Sequence, residues 1–235
     1  MLKLDNITKI YNKTTILNKL NITIQDNITG IIAPNGAGKS TLLNILSGID
    51  QNYLGNIYFQ NNLLNTFESK KNIFSYMLED LTIYPFMKVY EFIEFIEKTT
   101  NYIDSNLKKI LKLESVLTKS ILSLSKGYHQ RLKLFFALNN TKPIILLDEP
   151  FDGFDPFAMQ EILKLIKYRS HIGQKFILSI HQLFDAQKIC QNYILLNHGN
   201  IIAHGNLINL QQQFNLKQNS SLEDIFIKAL TIDHD

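Results

Sequence analysis

The segment APNGAGKST, residues 33–41, constrains the fold of this chain more than any other stretch. An apolar run at residues 28–33 leads into it and predicts a buried strand, and a glycine-rich turn follows. Apolar residues then recur at helical spacing, at Leu42, Leu43, Ile45 and Leu46. The pattern G-x-x-x-x-G-K-[ST] between a strand and a helix is typical of a loop that wraps around phosphate groups. The chain is therefore predicted to contain an α/β unit with a phosphate site at the carboxyl end of a strand.

Each part of this loop has a chemical task in holding a nucleoside triphosphate. Gly36 and Gly38 let backbone N–H groups turn inward around phosphate oxygens, and the following helix adds its positive N-terminal dipole. Lys39 would bring its charge to the β- and γ-phosphates, and Ser40 would offer its hydroxyl to Mg²⁺. Ala33 stands where the pattern has its first glycine, and its methyl group would strain the loop only at a positive φ. The predicted nucleotide-binding residues are Ala33, Pro34, Asn35, Gly36, Ala37, Gly38, Lys39, Ser40 and Thr41.

A second candidate site lies in KPIILLDEP, residues 142–150, an apolar strand that ends in two acids and a proline. Asp148 would hold Mg²⁺ directly or through water at the carboxyl end of this strand. Glu149 points to the opposite face and could accept a proton from an attacking water. Taken alone, two solvated acids that cap a strand explain the segment equally well. Its place downstream of a phosphate loop favours the catalytic interpretation.

The order of the predicted elements indicates an α/β fold. Alternation of apolar and polar residues near the start predicts short antiparallel strands with one face in water. Strands and helices alternate from residue 144 onward, which favours a mostly parallel sheet covered by helices. We expect one domain over residues 1–235, in which residues 1–79 and 125–235 form the core with an N-terminal antiparallel β subdomain and residues 80–124 form an inserted helical subdomain.

Composition excludes several classes of protein. The 24 basic and 21 acidic residues give a net charge of +3, which is too small and too dispersed to predict a nucleic-acid partner. A single cysteine, Cys190, excludes an internal disulfide and CxxC metal spacing. No apolar run approaches the roughly 18 residues of a spanning helix, and the first residues lack the pattern of a cleavable signal. We expect a chain that does not cross a membrane itself but could dock on a protein that does.

The segment LSKGYHQR, residues 124–131, resembles the LSGGQ signature of ATP-binding cassette (ABC) ATPases, which are P-loop NTPases with a RecA-like core. Leu124, Ser125 and Gly127 match that signature, whereas Lys126 replaces its first glycine and Tyr128 replaces its glutamine. Three further positions match the family in order along the chain. These are Tyr11, the aromatic residue that stacks on adenine; Asp155 in FDGFDP, the D-loop aspartate; and His181, the switch histidine.

The resemblance implies a head-to-tail dimer with two ATP molecules between the protomers. One protomer would supply the phosphate loop and the paired acids. The other would supply the signature residues Ser125, Lys126, Gly127 and Tyr128, of which Ser125 and Gly127 would contact the γ-phosphate. Glu149 would polarise the attacking water, and His181 would contact the γ-phosphate. The implied cofactors are ATP and Mg²⁺.

One position departs from the family pattern close to the nucleotide. The family has a glutamine in Y-x-x-Q-D, whereas YMLED places Glu79 there. A carboxylate can still ligate Mg²⁺, so the predicted metal ligands are Ser40, Asp148 and Glu79. Its negative charge beside a triphosphate is expected to weaken nucleotide binding unless Mg²⁺ compensates.

Chains of this layout in the family are most often ATP-binding subunits of membrane transporters. The implied partners are a transmembrane permease and a second ABC protomer, either an identical copy or a paralogue, and the implied location is the cytoplasmic face of the membrane. Tyr84, Pro85 and Phe86 are candidate permease contacts, although a packed turn explains them almost as well. The segment LTIYPFMKVYEF, the short LSKG signature and the segment LEDIFIKAL look most like bacterial export-type subunits that pair with ABC-2-like permeases. Two alternatives stay open: a soluble ABC ATPase that acts on nucleic acid or ribosomes, and a degenerate cassette that regulates an active one.

Overall fold

The computed structural model describes residues 1–81 and 83–232. The strands found there are β1 (Leu2–Tyr11), β2 (Thr14–Ile24), β3 (Ile28–Ile32), β4 (Leu54–Phe59), β5 (Asn62–Leu63), β6 (Phe74–Met77), β7 (Ile144–Asp148), β8 (Lys175–Ser179), β9 (Asn192–Asn197) and β10 (Asn200–Gly205). They form an antiparallel sheet of order β2-β1-β4-β5 and a second sheet of order β10-β9-β3-β8-β7-β6. In the second sheet all neighbours pair in parallel except β10 and β9.

Helices connect and cover these sheets. They are α1 (Lys39–Ser47), α2 (Phe67–Lys71), α3 (Val89–Thr100), α4 (Ser105–Ile110), α5 (Lys126–Leu138), α6 (Pro156–His171), α7 (Leu183–Ile189), α8 (Leu207–Gln213) and α9 (Leu222–Ile232). The predicted fold class, α/β with a mostly parallel sheet and an N-terminal antiparallel sheet, is confirmed. The helical stretch lies between β6 and β7 along the chain, and its treatment as a separate subdomain stays a prediction.

Alternation along β1 explains why the first sheet has one wet face. Leu2, Leu4 and Ile7 are buried, while their neighbours in the strand are partly or fully exposed. The tight turn to β2 uses Asn12 and Lys13, both at positive φ, which suits the twist of a two-residue hairpin. The inner face of this sheet packs in one core with α1 and with residues of β7 and β8. Helix α1 therefore lies between the two sheets.

The second sheet is buried on both faces. All five residues of β3 and all five of β7 are buried, as a continuous apolar run in a parallel strand predicts. One face packs on α1, and the other packs on α5, α6 and α7. Because β3, β8 and β7 are adjacent and parallel, their carboxyl ends meet at one edge, where the loops that follow them converge.

The described residues contain no helix that is long and apolar enough to span a bilayer.

Lys70 of α2 is a buried cation beneath the C-terminal end of α1. Its side chain is 0% exposed. Its Nζ donates to the carbonyl of Ile45 at 2.6 Å and to the hydroxyl of Tyr53 at 3.0 Å, and it lies 4.5 Å from the centre of the Tyr53 ring. Burial lowers the pKa of Lys70 to about 8, with the charge of Asp50 opposing that shift. A cation at this position satisfies a carbonyl at the negative end of the helix dipole.

This pKa predicts how the stability of the protein varies with pH. Between the folded pKa of Lys70, about 8, and the ordinary lysine pKa of roughly 10.4, the unfolded chain holds a proton that the folded chain has lost. The free energy of unfolding is therefore expected to gain roughly 1–3 kcal/mol from this group as the pH rises through that window. Denaturant unfolding of wild type and Lys70→Met across pH 7–11 measures the difference. The exposed neighbour variant Lys71→Met should run parallel to wild type, and a Lys70→Met curve that also runs parallel contradicts the assignment.

Candidate functional site

A cavity of about 460 Å³ lies at the carboxyl edge of the parallel sheet. It collects residues from separate parts of the chain: the phosphate loop, the ends of β1 and β6, the turn after β7 and the turn after β8. Its lining comprises Tyr11, Ile16, Asn35, Gly36, Gly38, Lys39, Ser40, Thr41, Glu79, Glu149 and His181. The structure thus brings most of the candidate residues around one space.

The geometry of the phosphate loop requires its glycines. Gly36 has φ 78° and Gly38 has φ 104°, both in the left-handed region. A Cβ on Gly38 would also lie 2.6 Å from a methyl group of Leu17. Ala33, by contrast, is buried and keeps a negative φ, so the replacement of the first glycine introduces no backbone strain. Helix α1 begins directly after Gly38, with its first N–H groups directed at the loop.

Lys39 is the buried cation of this loop, 7% exposed. Its Nζ donates to the backbone carbonyl of Ala33 at 3.0 Å. Burial lowers the pKa of Lys39, and the negative charges of Glu149, Asp148 and Glu79 oppose that shift. A desolvated ammonium group at the start of a helix is a strong binding partner for phosphate.

Asp148 is almost fully buried, 2% exposed, and is held by two hydroxyl groups. The Ser179 hydroxyl donates to one carboxylate oxygen, and the Tyr76 hydroxyl donates to the other at 3.3 Å. Burial and the neighbouring Asp148 charge raise the pKa of Tyr76, so it remains a donor. The three residues lie on the adjacent strands β8, β7 and β6, and Asp148 pairs directly with Ser179 in the ladder.

Glu149 turns out of the sheet beside Asp148. Its φ of 47° places it in the left-handed region, which is unfavourable for a residue other than glycine. Two hydrogen bonds hold this turn. The backbone N–H of Glu149 donates to the Ser179 hydroxyl at 3.1 Å, and the Glu149 carboxylate accepts from the backbone N–H of His181 at 3.1 Å. Burial raises the pKa of Glu149, and the nearby His181 and Lys39 oppose that shift. A carboxylate with a raised pKa is a stronger base towards water.

Glu79 and His181 complete the opening of the cavity. The imidazole Nε2 of His181 lies 3.4 Å from a carboxylate oxygen of Glu149, and its side chain is half exposed. Glu79 is exposed just after β6, and its backbone carbonyl accepts a hydrogen bond from Lys133 of α5. Both residues also line a smaller neighbouring cavity of about 170 Å³ together with Glu149. Glu79 and Glu149 outnumber Lys39 among the charged residues named in the lining of the larger cavity. A bound cation would offset this negative charge and so favour binding of a polyanion such as a triphosphate.

The signature residues do not line this cavity. Ser125 is the N-cap of α5, and Lys126 Nζ forms an ion pair with Asp152 at 2.6 Å. A Cβ on Gly127 would lie 3.1 Å from the carbonyl of Gly153, and the Tyr128 hydroxyl lies 2.9 Å from the Ser115 hydroxyl. The contacts of Lys126 and Gly127 attach the start of α5 to the turn after β7, whereas Tyr128 contacts the segment between α4 and α5.

Asp155, matched by family resemblance to the D-loop aspartate, also has a structural role that the resemblance did not predict. Its carboxylate accepts from the backbone N–H groups of Phe157 and Ala158, each at 2.9 Å, and so caps α6. These hydrogen bonds lower the pKa of Asp155. Pro156 then occupies the first helical position, where its missing N–H has no intrahelical partner to lose.

Two supporting residues, Ser179 and Tyr76, escaped the sequence analysis, and a third, Gln130, had no role predicted for it. Ser179 and Tyr76 hold Asp148, and Gln130 donates to the backbone carbonyl of Glu149 at 2.8 Å. Ser179 had a detectable signal, since it ends the strand two residues before His181 and strand ends meet at one edge of a parallel sheet. Tyr76 had none, because Asp148 lies far away along the chain. Gln130 belongs to the segment LSKGYHQR that matches the family signature, but its contact with Glu149 depends on the fold.

Comparison with known proteins agrees with these features. The family model "ABC transporter" matches residues 17–152. The chain is 29% identical over 206 residues to the lantibiotic transport ATP-binding protein SrtF of Streptococcus pyogenes, covering 86% of this chain and 89% of that protein. It is 29% identical over 210 residues to the spermidine/putrescine import ATP-binding protein PotA of Clostridioides difficile, covering 86% of this chain and 60% of that one. A dimeric post-hydrolysis structure of the ATP-binding cassette MJ0796 with ADP and Pi superposes with a TM-score of 0.78 at 25% identity, covering 88% and 99%.

The Ser179 hydroxyl predicts a measurable stability effect. Ser179→Ala removes one donor to the buried Asp148 carboxylate and one acceptor for the Glu149 N–H. The free energy of unfolding is expected to fall by about 1–3 kcal/mol, since buried polar groups lose partners. Ser123→Ala serves as the matched control, because Ser123 is exposed and bonds only within its own turn among the contacts described. Denaturant unfolding that gives Ser179→Ala no larger a loss than this control contradicts the assigned contacts.

Proposed function

Because the chain belongs to the ABC transporter family, and is thus an ATP-binding cassette and an ATPase, we propose that it powers transport through a separate membrane permease. The observation that carries this proposal is the cavity that joins the phosphate loop to Glu79, Glu149 and His181. In the proposed cycle, two cassettes close around two ATP molecules and reopen after hydrolysis. Binding energy thereby shifts a two-state equilibrium that the permease follows.

The phosphate loop and the acids fit a nucleoside triphosphate with a divalent cation. Backbone N–H groups at Gly36 and Gly38, together with the Lys39 ammonium group, supply donors and positive charge for the phosphates. The candidate cation ligands Ser40, Asp148 and Glu79 all offer oxygen, which suits Mg²⁺. When bound, Mg²⁺ would neutralise charge on the phosphates and offset the acidic lining of the cavity.

Hydrolysis requires a base for the attacking water, together with a hydrogen-bond donor and a positive charge for the γ-phosphate. Glu149 would accept a proton from the water that attacks the γ-phosphorus, while the bond to the β,γ-bridging oxygen breaks to give ADP and phosphate. His181, whose imidazole reaches Glu149, would donate to the γ-phosphate. Lys39 would stabilise the charge that develops on the transferred group.

The second protomer would supply the signature. Ser125, Lys126, Gly127 and Tyr128 lie outside the cavity of their own chain, and this placement supports a role in the cavity of a partner. Ser125 and Gly127 at the start of α5 would bind the γ-phosphate there, with the helix dipole behind them. Asp155 would belong to the D-loop that borders the same interface. The partner could be an identical copy or a paralogue.

The permease is proposed to dock on the helical segment 80–124, at the cytoplasmic face of the membrane. Tyr84 and Phe86 are 64% and 71% exposed. Their rings meet edge to face, with centroids 6.1 Å apart. Exposed aromatic side chains of this kind are typical anchors of protein interfaces. SrtF and PotA are equally similar in identity, and PotA is an import protein by name, so the proposed direction, export, rests on the sequence resemblance alone.

Glu149→Gln provides the central test of this function. The variant should bind Mg-ATP with an affinity close to wild type, because the phosphate loop is intact, but it should lose turnover because the base is gone. Light scattering after size exclusion is expected to show a dimer with Mg-ATP and a monomer without it.

Lys39→Ala in the same background is the control. It should remain monomeric with Mg-ATP, since the phosphates lose their buried cation. Hydrolysis by Glu149→Gln at the wild-type rate would show that Glu149 is not the base. A wild-type protein that binds ATP without hydrolysing it, even with its permease, would favour the degenerate cassette.

Glu79→Gln tests the departure from the family pattern. Removal of one negative charge from the cavity lining should strengthen binding of free ATP roughly two- to tenfold. Because Glu79 is also a candidate Mg²⁺ ligand, the same change should raise the Mg²⁺ concentration needed for half-maximal ATPase activity by a similar factor. Titrations of ATP with EDTA, and of Mg²⁺ at fixed ATP, measure the two effects. Asp80→Asn is the matched control, since Asp80 is exposed next to Glu79 but does not line the cavity. Equal Mg²⁺ dependence in wild type and Glu79→Gln contradicts a role for this charge.

A further inference from the structure

Lys9 is a buried cation on the inner face of β1. It is 2% exposed on the side of the strand that otherwise carries Leu2, Leu4 and Ile7. Its ammonium group is compensated there, because Nζ lies 2.7 Å from the Asp50 carboxylate and donates to the Asn52 carbonyl at 2.5 Å. An apolar side chain would pack at this position without desolvation of a charge. Stability alone therefore does not account for a lysine here.

The same two residues hold the side chain of Tyr11. The Tyr11 hydroxyl donates to the Oδ2 atom of Asp50, whose two oxygens also contact Lys9. The Lys9 Nζ lies 4.3 Å from the centre of the Tyr11 ring. Tyr11 is 46% exposed at the end of β1. The hydroxyl contact and the cation on one ring face together set the orientation of the ring.

This oriented ring borders the nucleotide cavity. Tyr11 lines it together with Gly36, Gly38 and Lys39 of the phosphate loop, whereas Lys9 and Asp50 do not line it. Because Lys9 covers one face of the ring, a flat ligand in the cavity has the other face available. A cation behind an aromatic ring draws electron density towards itself, which favours stacking of an electron-rich purine on the free face.

We propose that Lys9 and Asp50 are positioning residues that hold Tyr11 against the purine base of the bound nucleoside triphosphate. The proposal rests on the proposed function, since it presupposes a nucleotide in this cavity. Neither residue touches the nucleotide; each acts through the Tyr11 ring. Lys9 and Asp50 therefore affect binding of the base, whereas the phosphate loop binds the triphosphate.

The test compares a ligand that has a base with one that lacks it. Isothermal titration calorimetry measures binding of Mg-ATP and of Mg-tripolyphosphate to the full chain. Tyr11→Phe keeps the ring and removes its contact with Asp50, and Asp50→Asn weakens the contact from the other side. Each variant is expected to bind Mg-ATP about two- to tenfold more weakly and Mg-tripolyphosphate as wild type does. The double variant should lose little more than either single one, because both remove the same contact.

Matched variants separate this effect from a general change in the sheet. Tyr58→Phe alters a second tyrosine of the same sheet, whose ring lies 5.8 Å from Lys3 Nζ and which does not line the cavity. It should bind both ligands as wild type does. If Asp50→Asn fails to fold because Lys9 is left unpaired, Lys9→Met/Asp50→Leu replaces the ion pair with apolar groups, and this variant should fold but bind Mg-ATP weakly.

The possible outcomes are distinguishable. Unchanged Mg-ATP affinity in Tyr11→Phe and Asp50→Asn overturns the proposal, and so does an equal loss for Mg-tripolyphosphate, which would indicate a structural role. Wild-type protein that binds neither ligand overturns the proposed function as well. Loss of both ligands in Lys39→Ala, with loss of Mg-ATP alone in Tyr11→Phe, supports both.

Discussion

The close packing of the phosphate loop against β2 is the constraint on which the rest of this structure depends. Gly38 lies so near to Ile16 and Leu17 that any side chain there would collide with them. The turn between β9 and β10 meets the same stretch of β2, since the Asn18 N–H donates to the Gly199 carbonyl at 2.8 Å. The antiparallel sheet is thereby fixed to the loop and to the edge of the parallel sheet. This relative placement of the two sheets lets Tyr11, a residue of the antiparallel sheet, border the cavity at the edge of the parallel sheet.

Ser179 organises the acidic side of that cavity. Its hydroxyl donates to Asp148 and accepts from the N–H of Glu149, so one atom sets the positions of two neighbouring acids. The positive φ of Glu149 is unfavourable by itself and persists because these contacts, together with the His181 N–H, define it. Asp148 consequently faces into the protein, and Glu149 faces His181. Two adjacent carboxylates acquire different environments, which separates a candidate metal ligand from a candidate base.

The sequence predicts well the features that depend on residues close together along the chain. It misses contacts between residues that are far apart along the chain. The phosphate loop and the paired acids follow from residue spacing within about ten positions, and the parallel sheet follows from the alternation of strands and helices. The hydrogen bond from Tyr76 to Asp148 depends on β6 lying next to β7, an order that no local pattern carries. Lys9 reaches Asp50 across 41 positions of sequence, and a lysine in an alternating strand is normally assigned to the wet face. The roles proposed for the signature residues involve a second chain, so no pattern within one chain fixes their contacts.

Several contacts join the first two turns of α5 to the loop that carries Glu149. Gln130 is bonded to the Glu149 carbonyl, and Lys126 is paired with Asp152 three residues later. The Arg131 guanidinium group lies 5.6 Å from the centre of the Tyr128 ring and 5.4 Å from the centre of the Phe154 ring. A helix tied to a loop by a buried amide and a stacked guanidinium group cannot shift without moving that loop. In a dimer of the proposed kind, phosphate bound at the start of α5 in one site would therefore act on the position of Glu149 in the other, within the same chain.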